Sequence, residues 1–162
     1  MQRISIQSKE GAFTAWFSTR GLARLDFPGS VAKNGGSNGE HSNVHQTNAW
    51  KALTAKALAE ALAGRTPKKL PPLDLSEGTA FQRQVWAALL QIPAGKTRTY
   101  GQVAGLVRKP LASRAVGSAC GANPIPVLVP CHRVLAANGG LGGFSSGLAW
   151  KRRLLEREGV QV

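Results

Sequence analysis

Between Arg3 and Phe27 apolar residues alternate with polar ones in short stretches: Ile4 and Ile6; Phe13, Ala15 and Phe17; Leu22, Leu25 and Phe27. Gly11 and Gly21 interrupt them. A period of two broken by glycine predicts antiparallel strands joined by hairpins. From Pro28 to His45 the chain is rich in Gly, Asn and Ser and poor in apolar side chains, which predicts a surface loop. Helical spacing takes over from Asn48 to Ala63, where Trp50, Leu53, Ala57, Leu58, Ala61 and Leu62 recur on one face and Gly64 follows as a stop. Pro67 to Pro72 form a stiff connector, and Leu73 to Leu75 are candidates for a brief strand. A domain boundary is expected near residue 75, separating 1–75 from 76–162.

The second half opens with two matching helix starts. Thr79-Ala-Phe-Gln82 and Thr99-Tyr-Gly-Gln102 each place a hydroxyl N-cap three residues before a glutamine, so each pair can satisfy backbone N–H groups reciprocally. The first predicted helix runs through Phe81, Val85, Trp86, Leu89 and Leu90 to a break at Pro93 and Gly95. The next spans Tyr100 to about Val107, and a third runs from about Leu111 to Ala122 after a turn at Arg108-Lys-Pro110. Two short helices joined by a tight turn suggest a helix-turn-helix. The third helix is built largely of Ala, Ser and Gly, which suits close approach to another backbone or to a groove floor. The run Ile125 to Pro130 has the composition of a buried strand, the glycines from Gly139 to Gly147 suggest a wing-like loop, and Ala149 to Glu158 predicts a last helix stopped by Gly159.

Composition narrows the possible partners. With 43% apolar and 18% charged residues the chain is globular rather than disordered, and its net charge of +13 makes polyanions the first partners to consider. Residues 76–162 hold 11 of the 21 basic side chains but 3 of the 8 acids. No acid lies between Glu77 and Glu156, a stretch that includes Arg83, Lys96, Arg98, Arg108, Lys109, Arg114, Arg133, Lys151, Arg152 and Arg153. It reads as a phosphate-facing surface. No apolar run is long enough for a membrane span and Met1 to Arg20 lacks a signal peptide's apolar core, so a cytoplasmic location is expected.

Cys120 and Cys131 are the two cysteines, without a second pair or spaced histidines to form a zinc finger. His41 and His45 have helical ligand spacing but sit in the predicted loop with no completing Cys or acid. Cys131, flanked by Pro130 and His132, is either an inert core thiol or a nucleophile at the lip of a pocket. A thiol needs a base or a positive field to become a thiolate at neutral pH, and His132 with the nearby arginines can supply both.

The segment Asn123-Pro-Ile-Pro126 followed by Pro130-Cys-His-Arg-Val134 resembles the signature of the O6-alkylguanine-DNA alkyltransferases. Gly78-Thr-Ala-Phe-Gln82 with Val85-Trp86, Ile92 to Gly95, Thr99 to Gln102, Ser113 to Gly117 and Leu154 to Gly159 extend the likeness over about residues 73–160. The resemblance implies an α/β (α+β) fold, in which a small ribonuclease-H-like domain of strands and helix precedes a winged helix-turn-helix. It also implies suicidal repair, in which a sulfur takes the alkyl group from guanine O6 of double-stranded DNA.

By this likeness Cys131 is the acceptor, with His132, through a bound water, and Glu158 drawing off its proton. Tyr100 and the backbone N–H of Ser145 would attend the leaving guanine. Phe144, Asn123 and Val134 join them on the substrate side, with Asn123 tying the recognition helix to the active-site turn. Arg114 would enter the base stack while Ala112, Ser113, Ala115 and Gly117 let its helix lie in the minor groove.

Phe144 stands where relatives commonly carry a tyrosine. No Cys precedes residue 120, so the metal that some relatives hold in the first domain is not expected, nor is any cofactor, and a monomer is expected. The rival readings are a non-enzymatic binder of alkylated DNA, a sequence-reading transcription factor and a multiple-turnover Cys-His-Glu hydrolase.

Overall fold

A computed structural model describes residues 1–31 and 43–162. The first half opens with an antiparallel sheet of β1 (Gln2–Ser8), β2 (Gly11–Phe17) and β3 (Leu22–Asp26), in that order. Its inward side chains Ile6, Phe13 and Phe17 are buried, as the alternation requires. A register shift between Trp16 and Phe17 pairs Leu22 with Phe17 and Leu25 with Ala15, so both leucines are buried on that face too. Helix α1 (Val44–Leu62) buries Trp50, Ala57, Leu58, Ala61 and Leu62. It begins four residues before the predicted Asn48, because Asn43 caps it, its side chain accepting from the His45 N–H at 3.1 Å. His45 therefore lies in an exposed first helical turn rather than in a loop, while His41 and the rest of the predicted loop at 32–42 lie outside the described residues.

The second half contains α2 (Ala80–Leu89), β4 (Arg98–Thr99), α3 (Tyr100–Leu106), α4 (Ser113–Gly121), β5 (Val134–Leu135) and α5 (Leu148–Arg157), with β4 and β5 paired in parallel. Both capping boxes form: Thr79 and Gln82 exchange hydrogen bonds of 3.1 and 2.9 Å, and so do Thr99 and Gln102. Helices α3 and α4 make the helix-turn-helix. Leu73 adds one parallel bridge to Leu22, so the brief strand expected at 73–75 shrinks to a single residue pair.

The run Ile125 to Pro130 is buried but is not a strand. Pro126 and Pro130 have no N–H for a ladder, Val127 is held at φ 75°, and the segment closes as a tight turn with the Val129 N–H on the Ile125 carbonyl at 2.9 Å. Its β-branched residues record burial rather than strand pairing. One continuous apolar core joins the two halves: Phe13, Leu25 and Leu58 belong to the same cluster as Trp86, Val116, Ile125 and Leu154. The β3 residue Leu25 also donates its N–H to the Pro124 carbonyl at 2.9 Å, so the sheet edge supports the turn that leads to Cys131. No described helix is long and apolar enough to cross a membrane.

Candidate active site

Cys131 begins a short 3-10 turn, Cys131–Arg133, directly after the Ile125–Pro130 turn. Its N–H donates to the Val129 carbonyl at 2.8 Å. The Asn123 amide donates to that same carbonyl at 2.8 Å and accepts from the Ile125 N–H at 3.0 Å, so one side chain at the end of α4 spans the whole turn. Cys131 is 5% exposed and lines a cavity of about 550 Å³ together with Tyr100, Arg114, Gly117, Cys120 and Phe144.

Tyr100 is held in the cavity from two directions. Its hydroxyl accepts from the Gly143 N–H at 3.3 Å, and Gly142 has φ 70° at a place where a Cβ would sit 2.5 Å from that hydroxyl. Only a glycine lets the wing approach so closely. Lys151 of α5 is fully buried, donates to the carbonyls of Val134 at 2.7 Å and Gly143 at 3.0 Å, and places its ammonium 5.8 Å from the centre of the Tyr100 ring. Phe144 packs edge-on against Phe27 of the first half, with ring centres 5.9 Å apart.

Next to the thiol, His132 Nε2 and Glu158 Oε1 are 2.8 Å apart and both side chains are 1% exposed. Arg133 reaches the same carboxylate with Nε at 3.1 Å from each oxygen and Nη2 at 2.7 Å from Oε1, and its Nη1 donates to the Ile92 carbonyl. Burial works against the Glu158 charge, but hydrogen bonds from His132 and Arg133 outweigh it and hold the carboxyl at about 2. The ionised carboxylate fixes the tautomer: Nε2 carries the proton and donates it, leaving Nδ1 as an acceptor. That Nδ1 is buried without a hydrogen-bond partner among the described residues.

The charges around the thiol set its resting state. Burial pushes Cys131 up, against the Asn123 amide and the Lys151 charge, so it rests as a neutral thiol. Burial lowers His132 despite Glu158, and Arg133 and Lys151 lower it further, so the imidazole rests neutral as well. Cys120 is pushed up to about 12 by burial and by Cys131, with Lys151 opposing. Two thiols share the cavity, and they differ in their neighbours: Cys131 has an amide donor and a base next in sequence.

Of the residues singled out from the sequence, Cys131, Tyr100, Phe144, Arg114, Ser113 and Gly117 meet at this cavity. His132, Glu158 and Asn123 support it from within. Ser145 and Ala115 are exposed, Ala112 is half-buried, and Val134 is fully buried, its carbonyl taken by Lys151. Sequence reasoning placed Arg133 and Lys151 on a phosphate-facing surface. Both are buried instead, at 3% and 0% exposure, because each meets acceptors that chain order alone does not reveal. A signal did exist for Lys151: it shares the α5 stripe with Leu148, Leu154 and Leu155, where a lone lysine interrupts an apolar face. Arg133 and Cys120 carried no such signal.

Residues 80–160 match the family model described as "6-O-methylguanine DNA methyltransferase, DNA binding domain". The chain is similar to a methylated-DNA--protein-cysteine methyltransferase of Methanosarcina acetivorans, 58% identical over 83 residues, which cover 51% of this chain and 53% of the relative. Another of that name from Salmonella typhimurium is 47% identical over 112 residues, 67% of this chain and 66% of the relative. The first of these matches thus spans about half the length of its relative.

In three dimensions the chain is similar to Mycobacterium tuberculosis OGT in complex with DNA. That match has a TM-score of 0.71 and 37% identity, covering 95% of this chain and 90% of the other. An O6-methylguanine DNA methyltransferase from Methanococcus jannaschii gives 0.68 and 30% over 98% and 95%. A family model matching half of the chain, and a fold shared over nearly its whole length, show that this chain belongs to the O6-methylguanine DNA methyltransferase family.

Proposed function

We propose that this protein repairs O6-alkylguanine in double-stranded DNA by moving the alkyl group onto its own Cys131, and is consumed in one turnover. The observation that carries this reading is the Cys131 thiol at the wall of a cavity of about 550 Å³, next in sequence to a buried His132–Glu158 pair. A cavity of that size suits a single base, and O6 is reached only when the nucleotide is turned out of the stack.

The thiol proton passes through water to His132 Nδ1, and Glu158 stabilises the imidazolium that results. The thiolate then attacks the alkyl carbon: an S–C bond forms as the C–O6 bond breaks, and the electron pair stays with the guanine. Tyr100 donates to the departing base and the Ser145 N–H attends O6, so the developing negative charge is met by two donors. Phe144 offers a ring for the base to stack on. Arg114 fills the vacated position in the duplex, and Ala112, Ser113, Ala115 and Gly117 let α4 lie in the minor groove. A thioether has no easy route back to a thiol, which limits each molecule to one transfer. In this reading the protein works as a monomer in the cytoplasm without metal or cofactor, and the division near residue 75 separates a supporting domain from the one that binds DNA.

The test is to mix the protein with a duplex containing one O6-methylguanine and weigh the intact chain. The expected result is a gain of one methyl group mapped to the Cys131 peptide, while Cys131→Ala binds the duplex and gains nothing. Binding without any mass gain in the unaltered protein would favour the rival reading of a non-enzymatic binder. Continued product formation beyond one equivalent would favour a hydrolase.

A further inference from the structure

We propose that Glu10, at the tip of the β1–β2 hairpin, is a positioning residue for the active site: by pairing with Arg153 and Arg157 it holds the last turn of α5 and so keeps Glu158 within reach of His132. This rests on the reading of Glu158 and His132 given above. The hairpin tip is itself braced, since the Ser8 hydroxyl donates to the Gly11 carbonyl at 2.7 Å and accepts from the Glu10 N–H at 3.1 Å. From that tip the Glu10 side chain, 14% exposed, takes Arg153 Nη1 on one oxygen at 2.9 Å and Arg157 Nη2 on the other.

Arg157 is the last residue of α5 and the neighbour of Glu158 in the chain. Its Nη1 also donates to the Leu62 carbonyl at the end of α1, at 3.0 Å. Its own carbonyl lies against Gly64, where a Cβ would come within 2.0 Å of the oxygen. Two separate elements of the first half therefore grip the residue that precedes Glu158. Glu158 adds its own backbone bonds to Leu154 and Leu155 at 3.3 and 3.0 Å, the geometry of a final helical turn.

A final helical turn is where a helix frays most easily, because its carbonyls lack partners further along. Exposed ion pairs contribute little to global stability, about 0–1 kcal/mol. What the clamp controls is local: whether the last turn stays closed. Fraying there would carry Glu158 away from the 2.8 Å contact that fixes the imidazole tautomer. The charged groups around Glu158 are His132 and Arg133, those paired with Glu10 are Arg153 and Arg157, and Lys9 and Arg65 line the same cleft. The hairpin thus lets the first half of the chain position a residue of the second half's site.

The experiment compares the unaltered protein with Glu10→Gln, which keeps shape and removes charge. Nuclear magnetic resonance follows the His132 Nε2–H, and a rapid-mixing assay follows alkyl transfer from free O6-benzylguanine across pH. The expected result is solvent exchange of Nε2–H about tenfold faster and transfer roughly fivefold slower with a displaced pH profile, since small errors of position cost large factors in rate. Asp26→Asn, which removes the Arg24–Asp26 pair of the same sheet, is expected to leave both readouts unchanged.

Unchanged exchange together with superimposable pH profiles in Glu10→Gln overturns the proposal, whatever happens to the melting temperature. The exchange readout does not depend on transfer. If the unaltered protein transfers nothing while Glu10→Gln still exposes the Nε2–H, the repair reading fails and the positioning role stands. Should Glu10→Gln not fold, Arg153→Gln removes one half of the clamp and is read in the same way.

Discussion

Arg133 grips Glu158 on both carboxylate oxygens, with three N···O distances between 2.7 and 3.1 Å, in a place where neither side chain is more than 4% exposed. The acid that orients His132 is therefore already neutralised by a neighbour. Its charge does not require a protonated imidazole, and His132 can rest neutral as a base with Nδ1 free to accept.

This pairing makes acid stability a measure of the site. The Glu158 carboxyl is lowered from 4.5 to about 2 in the folded protein, so its contribution is fully present above pH 4.5 and is lost as the pH falls toward 2. That window is worth about 3 kcal/mol. Glu10 and Asp74 are also lowered, Glu10 chiefly by Arg157 and Asp74 by Ser18 and Ser76 against its burial, and they add to the same acid limb. Glu158→Gln leaves Arg133 buried without its counter-charge and is expected to cost about 3–5 kcal/mol at neutral pH. It should also flatten the loss between pH 4.5 and 2. Denaturant titrations at several pH values check this, and an acid limb as steep as that of the unaltered protein would refute it.

Lys151 is expected to act on the thiol from a distance through its charge. Its ammonium opposes the upward push of burial on Cys131 and ties the wing through Gly143. Lys151→Met keeps the apolar stem and removes the cation that opposes burial, so the thiol should be pushed up further. Transfer from free O6-benzylguanine at neutral pH should then slow about tenfold, with the gap narrowing as the pH is raised. Superimposable rate–pH profiles would show that the cation only holds the wing.

The division between what was legible and what was not follows the range of the interactions. The capping boxes of Thr79 with Gln82 and Thr99 with Gln102 are complete within four residues, and both helix starts were readable. The first turn of α1 was not, because Val44, His45 and Gln46 are exposed and add nothing to the apolar period that begins further along. Ile125 to Pro130 misled through composition, since β-branched residues suit any buried segment, while the two prolines remove ladder donors and leave a single bridge between Pro126 and Val129.

The largest loss of information concerns charge. Arg133 and Lys151 look like every other basic residue of an acid-free stretch until Glu158 and the wing carbonyls are brought to them. Glu158, taken alone, reads as a surface acid near a helix end, and its partner lies 26 residues away. The likeness to a family supplied that pair. The hairpin's reach from Glu10 to α5 across 147 residues had no signal at all.

The wing and Tyr100 form a coupled pair. Tyr100→Phe keeps the ring and removes the hydroxyl that accepts from the Gly143 N–H, and transfer should slow about 100-fold if that hydroxyl meets the leaving base. Gly142→Ala leaves the hydroxyl in place but sets a methyl group where only 2.5 Å is open, so it should slow transfer by displacing the ring. The double variant should be little slower than Tyr100→Phe alone, since both changes remove the same contact. Single-turnover rates for the three variants check this, and multiplicative losses would mean that the wing acts independently of Tyr100.

Arg114 separates access to the base from the chemistry done on it. The residue is exposed on α4 at the cavity mouth and makes no ion pair among the described residues, while Ala115 is exposed beside it, so this face is open to a duplex. If Arg114 occupies the gap left by an extruded nucleotide, it acts only when there is a stack to fill. Arg114→Ala should then slow transfer from duplex O6-methylguanine at least tenfold, and it should leave transfer from free O6-benzylguanine within about twofold, because the free base has no stacking to overcome. If Arg114 were only a phosphate contact, the variant would bind all duplexes more weakly with a shallower dependence on salt, and saturating protein would restore the rate. Single-turnover rates at saturating protein therefore distinguish the two roles, and equal losses on both substrates would place Arg114 in the chemistry of the cavity itself.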